Sequence, residues 1–166
     1  SLRADLGYMP EAPYFYERLT GAEFLRFCAE LFEKNLTGED SDALLSQVGL
    51  LSAKDKAIAA YSKGMKQRLG FAQALVNDPE YILLDEPLDG LDPIGRKEIK
   101  NIIRDLRSRG KTIFFNSHIL YDTEELCDEI GILHEGKLIY SGPVKEFCAG
   151  KSLEERFVET IEALNR

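Results

Sequence analysis

Tyr61-Ser62-Lys63-Gly64-Met65-Lys66-Gln67-Arg68-Leu69, then a helix-patterned run, then Tyr81-Ile82-Leu83-Leu84-Asp85-Glu86-Pro87 and Leu88-Asp89-Gly90-Leu91-Asp92-Pro93 decide the fold class of this chain. Ser62 is placed to cap a helix, its hydroxyl accepting from a backbone N–H two or three residues on, and Gly64 lets backbone N–H groups come close to an anion. Such a helix start carries about half a positive charge, which suits a phosphate. Residues 81–84 are continuously apolar, as expected for a central strand of a parallel sheet covered on both faces. Asp85 and Glu86 stand at its carboxyl end, where open α/β sheets hold their ligands.

Upstream, Leu6-Gly7-Tyr8-Met9 reads as a short strand running into Pro10-Glu11-Ala12-Pro13, a loop that two prolines keep out of helix. Thr20-Gly21-Ala22-Glu23 is a capping box. The apolar positions Phe24, Phe27, Cys28, Leu31 and Phe32 then recur at helical spacing. A second helix is expected from about Ser41, with Leu44, Leu45, Val48 and Leu51 inward. From Lys63 to Val76 a third helix places Met65, Leu69, Ala72 and Val76 on one face and Lys66, Gln67 and Gln73 off it, and Asn77-Asp78-Pro79 stops it.

Downstream, Pro93 opens a helix with Ile99, Ile102, Ile103 and Leu106 inward, closed by Arg109-Gly110. Its basic face carries interleaved Glu98 and Asp105, the pattern of a solvated helix rather than of a nucleic-acid surface. Lys111-Thr112-Ile113-Phe114-Phe115 is the next buried strand, ending at Asn116-Ser117-His118. A histidine there, beside a carboxylate-bearing strand, is placed to touch a phosphate. A short helix is expected over 122–127, then strands over 129–133 and 137–140 joined by a turn at His134-Glu135-Gly136. Ser152-Leu153-Glu154-Glu155 caps a last helix with Leu153, Phe157, Ile161 and Leu164 inward.

Composition bounds the rest. The chain has 166 residues, 44% hydrophobic and 30% charged, enough to bury the core of one domain. A net charge of −8 disfavours a surface built to neutralise a phosphate backbone, so no nucleic-acid partner is expected. Apolar runs stay far below the roughly 18 residues needed to cross a bilayer. Cys28, Cys127 and Cys148 lack Cys-x-x-Cys spacing, which points to idle thiols in a reducing compartment rather than to disulfides or zinc. The opening Ser1-Leu2-Arg3-Ala4-Asp5 is not a signal peptide, and the lack of an initial methionine suggests a piece of a longer protein.

The order of serine-x-glycine helix start, apolar strand, Asp-Glu-Pro and Gly-Leu-Asp resembles the signature motif, Walker B strand and D-loop of ABC-type ATPases. Tyr61-Ser62-Lys63-Gly64-Met65 stands where many members have Leu-Ser-Gly-Gly-Gln, a departure similar to the exporter-type branch, as is the Ser-Leu-Glu-Glu-x-Phe ending. The resemblance implies a P-loop NTPase-like α/β fold, a parallel sheet flanked by helices with an inserted helical subdomain. It spans 1–166 as one partial ATP-binding domain: a helical subdomain over about 14–60, a core and hairpin over 61–150 and a C-terminal helix over 151–166.

The same resemblance implies roles. Asp85 would hold Mg²⁺ and Glu86 would be the general base. His118 matches the switch histidine that contacts the γ-phosphate. Ser62 and Gly64 would cap ATP held by a second, facing ATP-binding domain, and Asp92 would link the two sites. Glu11 takes the place of the Q-loop glutamine. The rim of the helical subdomain would receive transmembrane permease subunits, placing the protein in the cytoplasm on the inner face of the membrane. One phosphate-loop pattern, Gly-x-x-x-x-Gly-Lys over 131–137, is rejected because Leu138 cannot ligate magnesium and strand follows it. No other such motif occurs in the chain. The Walker A loop is therefore expected before Ser1, leaving this segment inactive alone. The function expected is ATP hydrolysis that powers export through dimerisation. The alternatives are a degenerate, non-hydrolysing ABC module or an ABC ATPase without transport, the last disfavoured by the short span from Glu11 to Ser62.

Overall fold

The computed structural model describes residues 5–164, which divide into two compact units at the Asn116–Ser117 junction. The charged opening at 1–4 and the last two residues of the expected C-terminal helix, 165–166, lie outside the described residues.

The first unit is built on three parallel strands, β1 (Leu6–Met9), β2 (Tyr81–Asp85) and β3 (Thr112–Asn116), in the order β1-β2-β3. Tyr8 pairs with Leu83, Leu83 with Phe114 and Asp85 with Asn116, so β2 is central as expected. Its helices are α1 (Gly21–Glu30), α2 (Gly38–Gln47), α3 (Lys63–Leu75) and α4 (Pro93–Ser108). Each starts on a capping side chain: Thr20, Thr37, Ser62 and Asp92 accept from the N–H of Glu23, Asp40, Met65 and Gly95. A cap of this kind is worth about 1 kcal/mol.

Helix α3 packs on the sheet face that carries Gly7, Met9, Ile82 and Leu84, and α1 and α2 pack against α3. Ile82 and Leu84 are 1% and 3% exposed, whereas Tyr8, Leu83 and Phe114 on the other face are 53%, 36% and 69% exposed. The expectation of a strand covered on both faces thus holds for one face only among the described residues. A continuous apolar run cannot report which face a chain covers with its own helices.

Gly7 is where α3 meets the sheet. A Cβ there would lie 2.1 Å from the Ala74 carbonyl oxygen and 2.8 Å from Pro79. Gly7→Ala therefore pushes α3 off β1 and is expected to lower stability by about 1–3 kcal/mol. A denaturant midpoint equal to that of the parent protein would refute this packing.

Three sequence expectations shift by a turn or a face. Helix α1 ends at Glu30, so Leu31 and Phe32 lie beyond it, 69% and 37% exposed, and Leu25 and Ala29 fill the face instead. Helix α2 begins at Gly38 rather than near Ser41, because Thr37 and Asp40 form a second capping box. After it Leu50 is buried and Leu51 is 42% exposed, since the chain leaves the helix through Gly49, whose φ of +71° breaks the helical phase.

The second unit holds α5 (Leu120–Leu126), the antiparallel pair β4 (Glu129–His134) and β5 (Lys137–Pro143), α6 (Val144–Cys148) and α7 (Leu153–Leu164). Helix α5 starts two residues earlier than expected. The β4–β5 turn uses Glu135 and Gly136 at φ +48° and +77°, the left-handed pair a two-residue hairpin requires. Gly136-Lys137 is therefore a hairpin corner, not a phosphate loop. Ile132, Val144, Phe147, Cys148 and Leu153 form this unit's core, while Leu164, expected inward, is 54% exposed on the last turn. No helix among the described residues is long and apolar enough to cross a membrane. Burial pushes the Cys28 thiol up to about 11, which keeps it protonated and idle.

Candidate functional site

Because β1, β2 and β3 are parallel, their carboxyl ends leave the sheet along one edge. Glu11 follows β1 on an exposed bend, Asp85 ends β2 and Glu86 follows it, both half-buried, and Asn116 ends β3. Three of the expected groups are thus delivered to one edge of the first unit by topology alone.

Glu86 has a φ of +48°, a left-handed conformation that costs a non-glycine residue about 1–3 kcal/mol and persists only where its surroundings impose it. Hydrogen bonds to both of its main-chain polar groups impose it here. The Glu86 N–H donates to the Asn116 carbonyl at 3.2 Å and to Asn116 Oδ1 at 3.3 Å. Its carbonyl accepts from the Asp89 N–H at 3.1 Å and from Gln67 Nε2 at 2.8 Å. Pro87 and Leu88 are buried beneath the turn, so the carboxylate rides on an anchored backbone.

Helix α3 begins against that same turn. Ser62 is exposed, and its Oγ accepts from the Met65 N–H at 3.2 Å. A Cβ on Gly64 would stand 3.3 Å from the Gly90 carbonyl oxygen, and one on Gly90, at φ +67°, would stand 2.8 Å from Lys63 Cε. Gly64 lets the helix start lie close to the turn's backbone, and Gly90 supplies the left-handed φ of the turn. Lys63 Nζ reaches Asp89 Oδ2 at 2.8 Å; with side-chain exposures of 73% and 40% the pair contributes at most about 1 kcal/mol, so it orients rather than stabilises.

Asp92 caps α4, its Oδ1 accepting from the Gly95 N–H at 2.6 Å. Arg68, one residue beyond Gln67, bonds the Val48 carbonyl at 3.0 Å and Glu98 Oε2 at 2.5 Å, which ties α3 to the end of α2 and to α4. His118 lies in the second unit, exposed, two residues past the end of β3.

Asp85 is suited to a hard divalent cation, since a half-buried strand-end carboxylate beside a polar Asn116 offers oxygen ligands only. Among the described residues no group of three acidic, histidine or cysteine side chains forms a closed metal cage. A cation at Asp85 would accordingly take its other ligands from phosphate and water, the usual habit of Mg²⁺.

Sequence reading missed Gln67, Arg68 and Asn116. The apolar pattern puts Gln67 off the face of Met65, Leu69, Ala72 and Val76, yet it is 5% exposed. The usable signal was its helical phase, since Gly70, Phe71 and Ala74 lie three, four and seven residues on and are all buried.

An open groove of about 890 Å³ borders the same unit, lined by Pro13, Tyr14, Phe15, Tyr16, Ala57 and Lys66 among others. Tyr14 is 89% and Tyr16 56% exposed. Lys66 pairs with Glu17 at 2.7 Å on its rim.

Comparison with known proteins gives a consistent set of relatives. Residues 1–89 match the family described as ABC transporter. An uncharacterised ABC transporter ATP-binding protein of Nostoc is 49% identical over 91% of this chain and 46% of its own length. The bacitracin transport ATP-binding protein of Enterococcus faecalis is 42% identical over 88% of this chain and 47% of its own length. A lantibiotic transport ATP-binding protein of Streptococcus pyogenes is 38% identical over 94% of this chain and 66% of its own length. A solved ATP-binding subunit of an ABC transporter superposes with a TM-score of 0.83 at 31% identity, covering 95% of this chain and 68% of the solved one. The chain spans about half the length of the Nostoc and Enterococcus relatives it matches.

Proposed function

The chain belongs to the ABC transporter family, and from that premise we propose that it forms the signature, Walker B and switch portion of an ATP-hydrolysing subunit that drives export. The observation that carries this reading is the Asp85–Glu86 pair, on an anchored turn that also abuts the exposed start of α3.

Glu86 acts as general base. It accepts a proton from water as the water oxygen bonds to the γ-phosphorus of ATP and the bond from that phosphorus to the β-phosphate oxygen breaks, releasing ADP. Asp85 would hold Mg²⁺, whose charge would offset that of the phosphates. Glu11, on the exposed bend after β1, would take the place of the glutamine that reaches that metal and the attacking water in the family. The family resemblance assigns to His118 the role of the switch histidine that contacts the γ-phosphate.

Ser62 and the backbone at Gly64 cap ATP bound to the phosphate loop of a second ATP-binding domain, and Asp92 connects the paired sites. Hydrolysis therefore belongs to a dimer, mounted by permease subunits on the inner face of the cell membrane. Relatives named for bacitracin, lantibiotic and fluoroquinolone transport, the last named for export, support the direction.

The groove along residues 13–18 is the docking place for the permease. Its exposed tyrosines suit a short amphipathic segment, and large aromatics of this kind are frequent interface anchors. Tyr14→Ala is expected to leave folding stability within about 0.5 kcal/mol. It is expected to weaken recovery of the membrane subunit with the ATP-binding subunit about tenfold. Reconstitution of that assembly in lipid vesicles tests the whole reading: ATP-dependent export coupled to hydrolysis is expected, and a subunit that binds the permease but hydrolyses nothing would overturn it.

A further inference from the structure

The hydrogen bond from Gln67 joins two elements with different tasks. Gln67 stands five residues after the Ser62 cap, on the helix whose start is proposed above to cap nucleotide, and its side chain is buried at 5% exposure. A carbonyl only accepts, so the amide NH₂ end of Gln67 is the end that meets the Glu86 oxygen at 2.8 Å. The Glu86 backbone is left-handed, at +48°, a state that neighbours must hold. Of the groups that hold it, Asn116 extends the strand and Asp89 belongs to the same turn. Gln67 brings in α3. The Lys63–Asp89 ion pair makes a second tie between the same two elements one turn earlier.

We infer that Gln67 is a positioning residue for Glu86: it fixes the backbone from which the general base projects and makes that position depend on where α3 sits. Closure of Ser62 and Gly64 on one nucleotide thereby sets the base for the other. This rests on the reading of Glu86 as general base. The bond is to the main chain, so Gln67 acts through the turn and touches no substrate.

The test uses the full ATPase assembly and two variants. Gln67→Leu keeps the bulk and removes the donor. It is expected to lower kcat about tenfold while the KM for ATP stays within about twofold, the equivalent of one net hydrogen bond. Without nucleotide, amide exchange at Glu86 and Asp89 is expected to quicken in this variant.

Gln67→Glu is isosteric but donates only when protonated. Its kcat relative to the parent is expected to rise as pH falls, a recovery that mere loss of packing would not produce. It also decides the matter should Gln67→Leu fail to fold. A kcat within twofold of the parent in Gln67→Leu, or a flat pH ratio in Gln67→Glu, would overturn the inference while leaving the base assignment intact. Unchanged turnover in Glu86→Gln, measured alongside, would overturn both.

Discussion

Glu86→Gln is expected to lower ATP turnover of the full assembly by about 10²–10⁴-fold, the usual contribution of a general base, and to leave ATP binding in place. The amide keeps the shape and the hydrogen-bonding reach of the carboxylate but cannot take a proton from water at neutral pH. The hydrogen bonds from Asn116, Gln67 and Asp89 engage the main chain of residue 86, and the substitution keeps the groups that make them. ATP that binds but is not cleaved should hold the paired domains together, and light scattering with ATP is expected to show an accumulated dimer of the ATP-binding subunit. Turnover equal to the parent's would remove Glu86 from the chemistry. Glu86→Gly offers an internal control: it relieves the left-handed strain, so stability is expected to rise by about 1 kcal/mol while turnover is lost.

The 166-residue chain, titrated alone with MgATP, is expected to bind with a Kd no tighter than about 1 mM. An exposed helix start contributes about 0.3–1 kcal/mol toward an anion. One charge-assisted hydrogen bond from Ser62 adds about 1.5–3 kcal/mol. The sum, about 4 kcal/mol at most, corresponds to millimolar affinity. Among the described residues no further helix start or loop is assigned to a triphosphate. The chain's one near match to a phosphate loop, ending at Gly136-Lys137, is a hairpin corner whose lysine enters a strand. Supplying the facing phosphate loop in trans should restore tight binding. Calorimetry that gives micromolar affinity for the isolated chain would mean a nucleotide site of a different kind.

What the sequence by itself determined is what depends on neighbours along the chain. The caps at Thr20, Ser62 and Ser152 are local hydrogen bonds over three residues, and the residue types that make them can be read directly. The inward isoleucines of α4 follow from helical period, and the parallel β2 from an apolar run ending in two acids. Placement of Asp85 and Glu86 at a strand's carboxyl end is of the same kind.

Tertiary structure decided whatever depends on which distant segment arrives. Which sheet face is covered was settled by α3 lying on Gly7, and the burial of Gln67 by a carbonyl 19 residues away. The left-handed backbone of Glu86 is invisible in the sequence because the residue is not glycine. It exists because Asn116, 30 residues on, and Gln67 satisfy both ends of its peptide at once. Residue patterns record preference within a few positions, whereas a strained, functional backbone is held by partners that only the fold brings together.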